Sequence, residues 1–370
     1  MTDAVVIGGG IVGAAAAAFL AEAGATVTLF ERAGLASGAS GANSGIVQHP
    51  MDPALVPLYR RTVQLYRELS RAEAGFRLAD EPAGMLFVSR ERAAADGIAA
   101  SFPHLATEIL EGRDLATLEP ALAPDLVGCR VPIGYPIPPS ASTYGYATVA
   151  ERRGVTVRSG RAATPTIKAG RVTGVTVDGQ LVSADQVLVA AGPWTPDVVD
   201  PSGRWRPIRA LWGVVVELEL APPPRFVLEE AEIDAVIGPA GGISGPDPRP
   251  SFDFSLVTAA GVSSVGSTFL DDEPDPADWI VPLLTRARGF VPAVDVAPIR
   301  GVRACARPIS LDGRPLIGAI PGIDGLFVCA GHGPWGISTG PASAELVVDR
   351  MLGRDVDIAP ELDAARFGAP

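Results

Sequence analysis

The chain has 370 residues, 47% hydrophobic and 19% charged, with a formal net charge of −12 and a pI near 4.8. That length exceeds what a single core usually holds, so two domains are expected, and the composition excludes a disordered chain. Without a cluster of Lys and Arg, a broad nucleic-acid surface is excluded too.

Residues 3–7, "DAVVI", read as a short buried strand, followed by Gly8, Gly10 and Gly13 in G-x-G-x-x-G spacing and an alanine-rich helix to about Ala23. The apolar run 4–20 approaches membrane-spanning length, but it lacks a basic leading region, is broken by three glycines and is closed by Glu22. A strand, turn and helix explain it, and no membrane span is expected. Gly8 suits the tight turn, Gly10 lets a pyrophosphate approach the backbone, and Gly13 permits close helix packing; Ile11 and Val12 open the helix whose free N–H groups would meet the phosphates. A second strand, "ATVTLFE", ends in Glu31, placed to accept hydrogen bonds from ribose hydroxyls, and Arg32 offers an adenine or phosphate contact.

Two long stretches, 45–140 and 205–300, hold helical and strand-like segments such as "LYRRTVQLYRELSRAE" and "RALWGVVVELEL" but no nucleotide motif. Residues 186–197, "QVLVAAGPWTPD", read as a buried strand running into a small-residue turn at Ala191 and Gly192. Residues 326–341, "LFVCAGHGPWGISTGP", repeat that design. A second glycine-rich turn so far downstream suits an extended flavin dinucleotide better than NAD. Just before it, "GVRACARPISLDGRPLIG" puts Arg303, Cys305 and Arg307 on alternate positions, where a strand points them the same way. Three cysteines, Cys129, Cys305 and Cys329, have unrelated spacings, so neither a disulfide framework nor a metal site is expected, and a reducing cytoplasm is the expected compartment.

Through the opening fingerprint, "SGASGANSGIVQ" at 37–48, "VLVAAGPWTP" at 187–196 and the two C-terminal motifs, the sequence resembles the FAD-dependent amino-acid and amine oxidase family of D-amino-acid oxidase, glycine oxidase and monomeric sarcosine oxidase. The resemblance implies an α/β fold: a Rossmann-like FAD-binding domain (1–45, 141–204 and 301–370) interleaved with a mixed-sheet α+β substrate domain (46–140 and 205–300). It also implies hydride transfer from the amine-bearing carbon of a small amino acid or N-alkyl amino acid to flavin N5.

By the same resemblance, Ser37, Ser40, Asn43 and Ser44 pass the pyrophosphate and flavin edge, and the Ala163 backbone reads adenine. Gly331, His332, Gly333, Gly336, Ile337, Ser338 and Thr339 form the turn and helix start at the ring, where a helix N-terminus favours negative charge. Arg307 takes the substrate carboxylate, because its planar fork makes paired hydrogen bonds to that group. Arg303 is the better candidate for a structural ion pair. Gln48, His49, Trp212 and Trp335 are expected around the substrate, and His332 or His49 as a proton carrier. Cys305 aligns with a cysteine that forms a thioether to flavin in some relatives; non-covalent FAD is the preferred reading. A lysine that activates oxygen in sarcosine oxidase is replaced near Ser264, so oxygen and another electron acceptor both stay open, as do a homo-oligomer and a heteromeric complex with the chain as its flavin-bearing subunit.

Overall fold

The computed structural model describes residues 3–231 and 251–370. Its first layer is a six-stranded sheet centred on Asp3–Ile7. Thr26–Glu31 and Thr156–Ser159 lie to one side; Gln186–Val189, Leu326–Ala330 and Leu316–Ala319 lie to the other. All pairings are parallel except the last. Such a sheet must be covered on both faces, and alternate residues of the central strand divide accordingly. Ala4 and Val6 enter a core with the helices, while Val5 and Ile7 enter a second core with Val172, Val175 and Val177 of a three-stranded antiparallel sheet.

The first helix, Ile11–Glu22, has little apolar asymmetry because it is buried nearly all round. Ala14 to Ala18 are each 0% exposed, and their small side chains let the helix lie close between the sheet and the helices Ala141–Arg152 and Gly336–Met351.

The second layer is an eight-stranded mixed sheet in the order Ile299–Ser310, Ile208–Leu218, Val262–Phe269, Ser251–Ala259, Val227–Glu230, Met85–Ser89, Val127–Val131 and Glu108–Glu111. The register of its two longest strands is continuous over the part that matters: Leu211 stands opposite Arg307, Gly213 opposite Cys305, and Val215 opposite Arg303.

Two expectations about domain limits need correction. Residues 301–310, expected in the FAD-binding part, are the edge strand of the eight-stranded sheet; only after Ser310 does the chain return to the six-stranded one at Leu316. Conversely, Val56–Ala72, expected in the substrate part, is an amphipathic helix whose buried face joins the core beneath the first sheet. There the Tyr66 hydroxyl donates to the Ile337 carbonyl at 2.7 Å. A helix joins whichever core its apolar stripe can enter, and sequence neighbourhood does not decide which.

Candidate active site

Between the two sheets runs a cavity of about 490 Å³, reaching from the Gly8 turn at one end to the eight-stranded sheet at the other. At the first end, Gly8 has φ +117°, and a Cβ there would run into the Ala190 carbonyl. A Cβ on Gly13 would overlap the Gly8 carbonyl oxygen. Gly13 therefore sets packing and does not line the cavity, whereas Gly8, Gly10, Ile11 and Val12 do.

Glu31 lines the cavity and braces the turn. Its carboxylate accepts from the Gly9 N–H at 2.7 Å and the Ala33 N–H at 2.9 Å. The Ser40 hydroxyl accepts from the Ile11 N–H at 3.0 Å, using one of the donors that a helix N-terminus leaves free. Arg32 stacks its guanidinium on Trp194, 3.8 Å from the ring centroid, and both line the cavity. Trp194 was not singled out from sequence. Ser37, Ser44, Ala163, Ala191 and Gly192 line the wall. Asn43 borders it too, but its side chain holds the loop together, donating to the Ser40 carbonyl at 2.8 Å and accepting from Gly45 N–H at 2.8 Å.

In the middle, His332, Gly333, Trp335, Gly336 and Ile337 form one wall; Gly331, Ser338 and Thr339 stand behind it. Ser338 accepts from the Gln48 backbone N–H at 2.8 Å, and the Thr339 hydroxyl donates to the Trp335 carbonyl at 2.8 Å, so both brace the helix start. His332 and Trp335 are 2% and 6% exposed, and their Nε2 and Nε1 atoms have no hydrogen-bond partner among the described residues. Burial holds the His332 pKa down at about 4, so the ring is neutral at ordinary pH.

The far end is built on the alternation noticed in the sequence. Cys305 and Arg307 both face the cavity. Arg303 does not line it: this guanidinium pairs with Glu217 and donates to the Asn43 carbonyl at 2.8 Å and the Ser264 hydroxyl at 3.1 Å. Arg307 has no carboxylate partner among the described residues. Asp312, its nearest acidic neighbour in sequence, is held by Arg366 at 2.7 Å. Arg307 donates instead to the Thr268 carbonyl at 2.8 Å and to the Ser267 hydroxyl, with the Phe269 ring centroid 4.8 Å from Cζ. Burial lowers its pKa, as expected for a cation drawn out of water with no carboxylate beside it among the described residues. The Cys305 thiol is pushed up by burial against the opposing pull of Arg307 and Arg303, which disfavours the thiolate.

Gln48 lines the cavity and donates from Nε2 to Glu229 at 3.0 Å. Two sequence candidates lie elsewhere. His49 turns to the Pro50 carbonyl, 2.7 Å from Nδ1, and packs edge-on to Tyr59 at 4.9 Å. Trp212 lies outside the cavity wall because it neighbours Gly213, and successive strand residues point to opposite faces. Ser267, Phe269 and Glu229 line the cavity without having been expected. Only Gly213, a lone glycine inside an apolar strand, carried a sequence signal of close approach.

Glycine turn, ribose-side acid and helix start fit a dinucleotide at one end, and the wall of His332, Gly333, Trp335, Gly336 and Ile337 continues the cavity toward Cys305 and Arg307, with room for a ring and, beyond it, a small anion. The class this defines is a two-layer flavin-dinucleotide oxidoreductase. Residues 3–350 match the family described as FAD dependent oxidoreductase (DAO), and the chain belongs to that family, with FAD as its cofactor. A glycine oxidase of Pseudomonas putida is 28% identical over 203 residues, 54% of this chain and 51% of that one, so the match spans about half the length of that relative. A D-amino acid dehydrogenase of Xanthobacter autotrophicus is 27% identical and matches over 98% of both chains. The crystal structure of glycine oxidase from Geobacillus kaustophilus superposes with a TM-score of 0.83 over 99% of both chains at 22% identity, a likeness of fold. No helix among the described residues is long and apolar enough to cross a membrane.

Proposed function

We propose that the protein oxidises the C–N bond of a small amino acid or N-alkyl amino acid and that Arg307 binds the substrate carboxylate. The observation that carries this reading is the half-buried guanidinium that opens onto the cavity floor, without a carboxylate partner among the described residues. A desolvated cation is costly alone and favourable when a fitting anion arrives, and a planar fork fixes the angle of that anion. When bound, FAD supplies the hydride acceptor; the protein's own part is to orient and exclude. Arg307 anchors one end of the substrate, and the apolar walls keep water from the reacting carbon. His332, neutral at working pH, packs beside the site as an uncharged polar group. The imine product then hydrolyses in water to a keto acid and an amine or ammonia.

The test is anaerobic flavin bleaching across D- and L-amino acids, glycine, sarcosine and cyclic imino acids, each paired with its carboxamide. Acids should bleach and carboxamides should not; equal rates for the two would sink the Arg307 assignment.

One observation favours an electron acceptor other than oxygen. The chain contains a single lysine, Lys168, exposed at the end of the Ala163–Lys168 strand, so no lysine ammonium stands in the cavity. With Arg307 neutralised by substrate, the cations left on the cavity wall are Arg32 and Arg161, both at the Glu31 end and away from the substrate. Mixing the substrate-reduced protein with air-saturated buffer and with a dye acceptor in parallel separates the two readings. Slow reoxidation by air with rapid dye reduction supports a dehydrogenase, which agrees with the chain acting as the flavin-bearing subunit of a larger complex.

A further inference from the structure

Arg307 is held in an unusual way for a strand residue. An added Cβ on Gly213 would stand 2.5 Å from both Cζ and Nη1 of Arg307 and closer still to Nη2. An approach along the edge of the fork would leave Cζ clearly farther than the two nitrogens. Near-equal distances mean that the guanidinium lies with its flat face on the Gly213 backbone. Gly213 stands opposite Cys305, and Arg307 is two residues further along that strand, so the side chain folds back across its neighbour to reach this place. From there Nη1 meets the Thr268 carbonyl and Nη2 the Ser267 hydroxyl, on the next strand over. Of five N–H donors, these contacts use two, leaving three in the same plane.

We propose that Gly213 and Ser267 are positioning residues for the substrate carboxylate: Gly213 is the floor on which the Arg307 fork lies flat, and Ser267 fixes its rotation. The assignment rests on the reading of Arg307 given above. Any side chain at 213 must lift the guanidinium by about 1 Å to restore ordinary contact, and a displacement of that size costs about 100-fold where geometry matters. The glycine's own φ is not in the left-handed region, so the strand itself does not require it; the guanidinium does.

The experiment uses the FAD-loaded protein and titrates benzoate, with benzamide as the neutral isostere, by the perturbation of flavin absorbance. Arg307→Ala should weaken benzoate by about 100-fold or more and leave benzamide unchanged; if benzoate affinity is unaltered, the reading of Arg307 fails, independently of Gly213. Given an effect of Arg307→Ala, Gly213→Ala should weaken benzoate by tenfold or more, spare benzamide and retain its flavin. In the Arg307→Ala background, Gly213→Ala should have no further effect, because the guanidinium it displaces is gone. Normal benzoate affinity in Gly213→Ala, or an equal loss with and without Arg307, overturns the floor assignment. Should Gly213→Ala fail to fold while the double variant folds, the tight contact is shown directly. Ser267→Ala, which adds no atom, should weaken benzoate several-fold and raise KM for the acid substrate more than it lowers kcat. Unchanged benzoate affinity in that variant overturns the role of Ser267, and with it the rotation half of the proposal.

Discussion

The two ends of the cavity are built on opposite plans. At the Gly8 end, polar groups are largely satisfied before any ligand arrives: Glu31 holds two backbone N–H groups, Ser40 a third, and Asn43 ties its own loop. At the Arg307 end, a half-buried cation is met among the described residues by a carbonyl, a hydroxyl and the Phe269 ring, with no carboxylate. A pre-satisfied cradle holds a resident cofactor without depending on conditions, whereas an unneutralised charge responds strongly to whether an anion is present. The first end suits a group that stays, the second a molecule that comes and goes.

The sharpest way to break this contrast is at the cradle. Gly13→Val puts side-chain atoms where the Gly8 carbonyl stands, and the purified protein should come out colourless, with apoprotein failing to take up added FAD by fluorescence titration. Retained flavin would show that the turn yields to a side chain at this close approach. Arg307→Ala should do the reverse, keeping a full flavin spectrum while KM for the acid rises about 100-fold, a loss of about 3 kcal/mol.

His332 sharpens the comparison through pH. Its folded pKa of about 4 lies below the ordinary histidine value of 6.5, so folding disfavours the proton. The contribution is fully present above pH 6.5 and is lost as pH falls toward 4, and FAD-free protein should show a falling melting temperature across that window. The His332→Asn variant should flatten that part of the curve; an unchanged pH dependence would place the titration elsewhere. A smaller effect is expected at the other end, where Arg32→Ala removes the stack on Trp194. Cation–π contacts at partly exposed sites contribute about 0.5–1 kcal/mol, so FAD affinity should fall roughly two- to fivefold. Finally, acid precipitation should leave a colourless pellet, because burial keeps the Cys305 thiol protonated; a yellow pellet would mean a covalent bond.

The same contrast explains what could be read from the sequence. The cradle is local: a strand, three spaced glycines, a helix and an acid occur within about thirty residues, each with one physical task. Alternation also placed Cys305 and Arg307 together, because period two is a local property of a strand. What sequence could not supply is which strand lies beside which. Gly213, Ser267 and Phe269 meet Arg307 only through the register of three strands, and His49 and Trp212 were misplaced by the same gap. Neighbours of Gln48 and Gly213 in the chain, they face away from the cavity. The edge strand at 301–310 was assigned to the wrong layer for a related reason, since its motif adjoins cofactor-side sequence while its hydrogen bonds belong to the other sheet.

Lys168, which entered the account by its absence from the cavity, gives the molecule a chemical handle. It is the only side-chain amine, exposed beside a hairpin turn at Ala169 and Gly170, at the opposite end of its strand from the cavity-lining Ala163. Reagents that acylate lysine side chains will mark this one point and leave the cavity untouched. A lysine-specific protease has one peptide bond to cut, in a turn whose severance leaves both sheets with their strands intact, so tethering, tagging and nicking can all be directed to a single known corner of the protein.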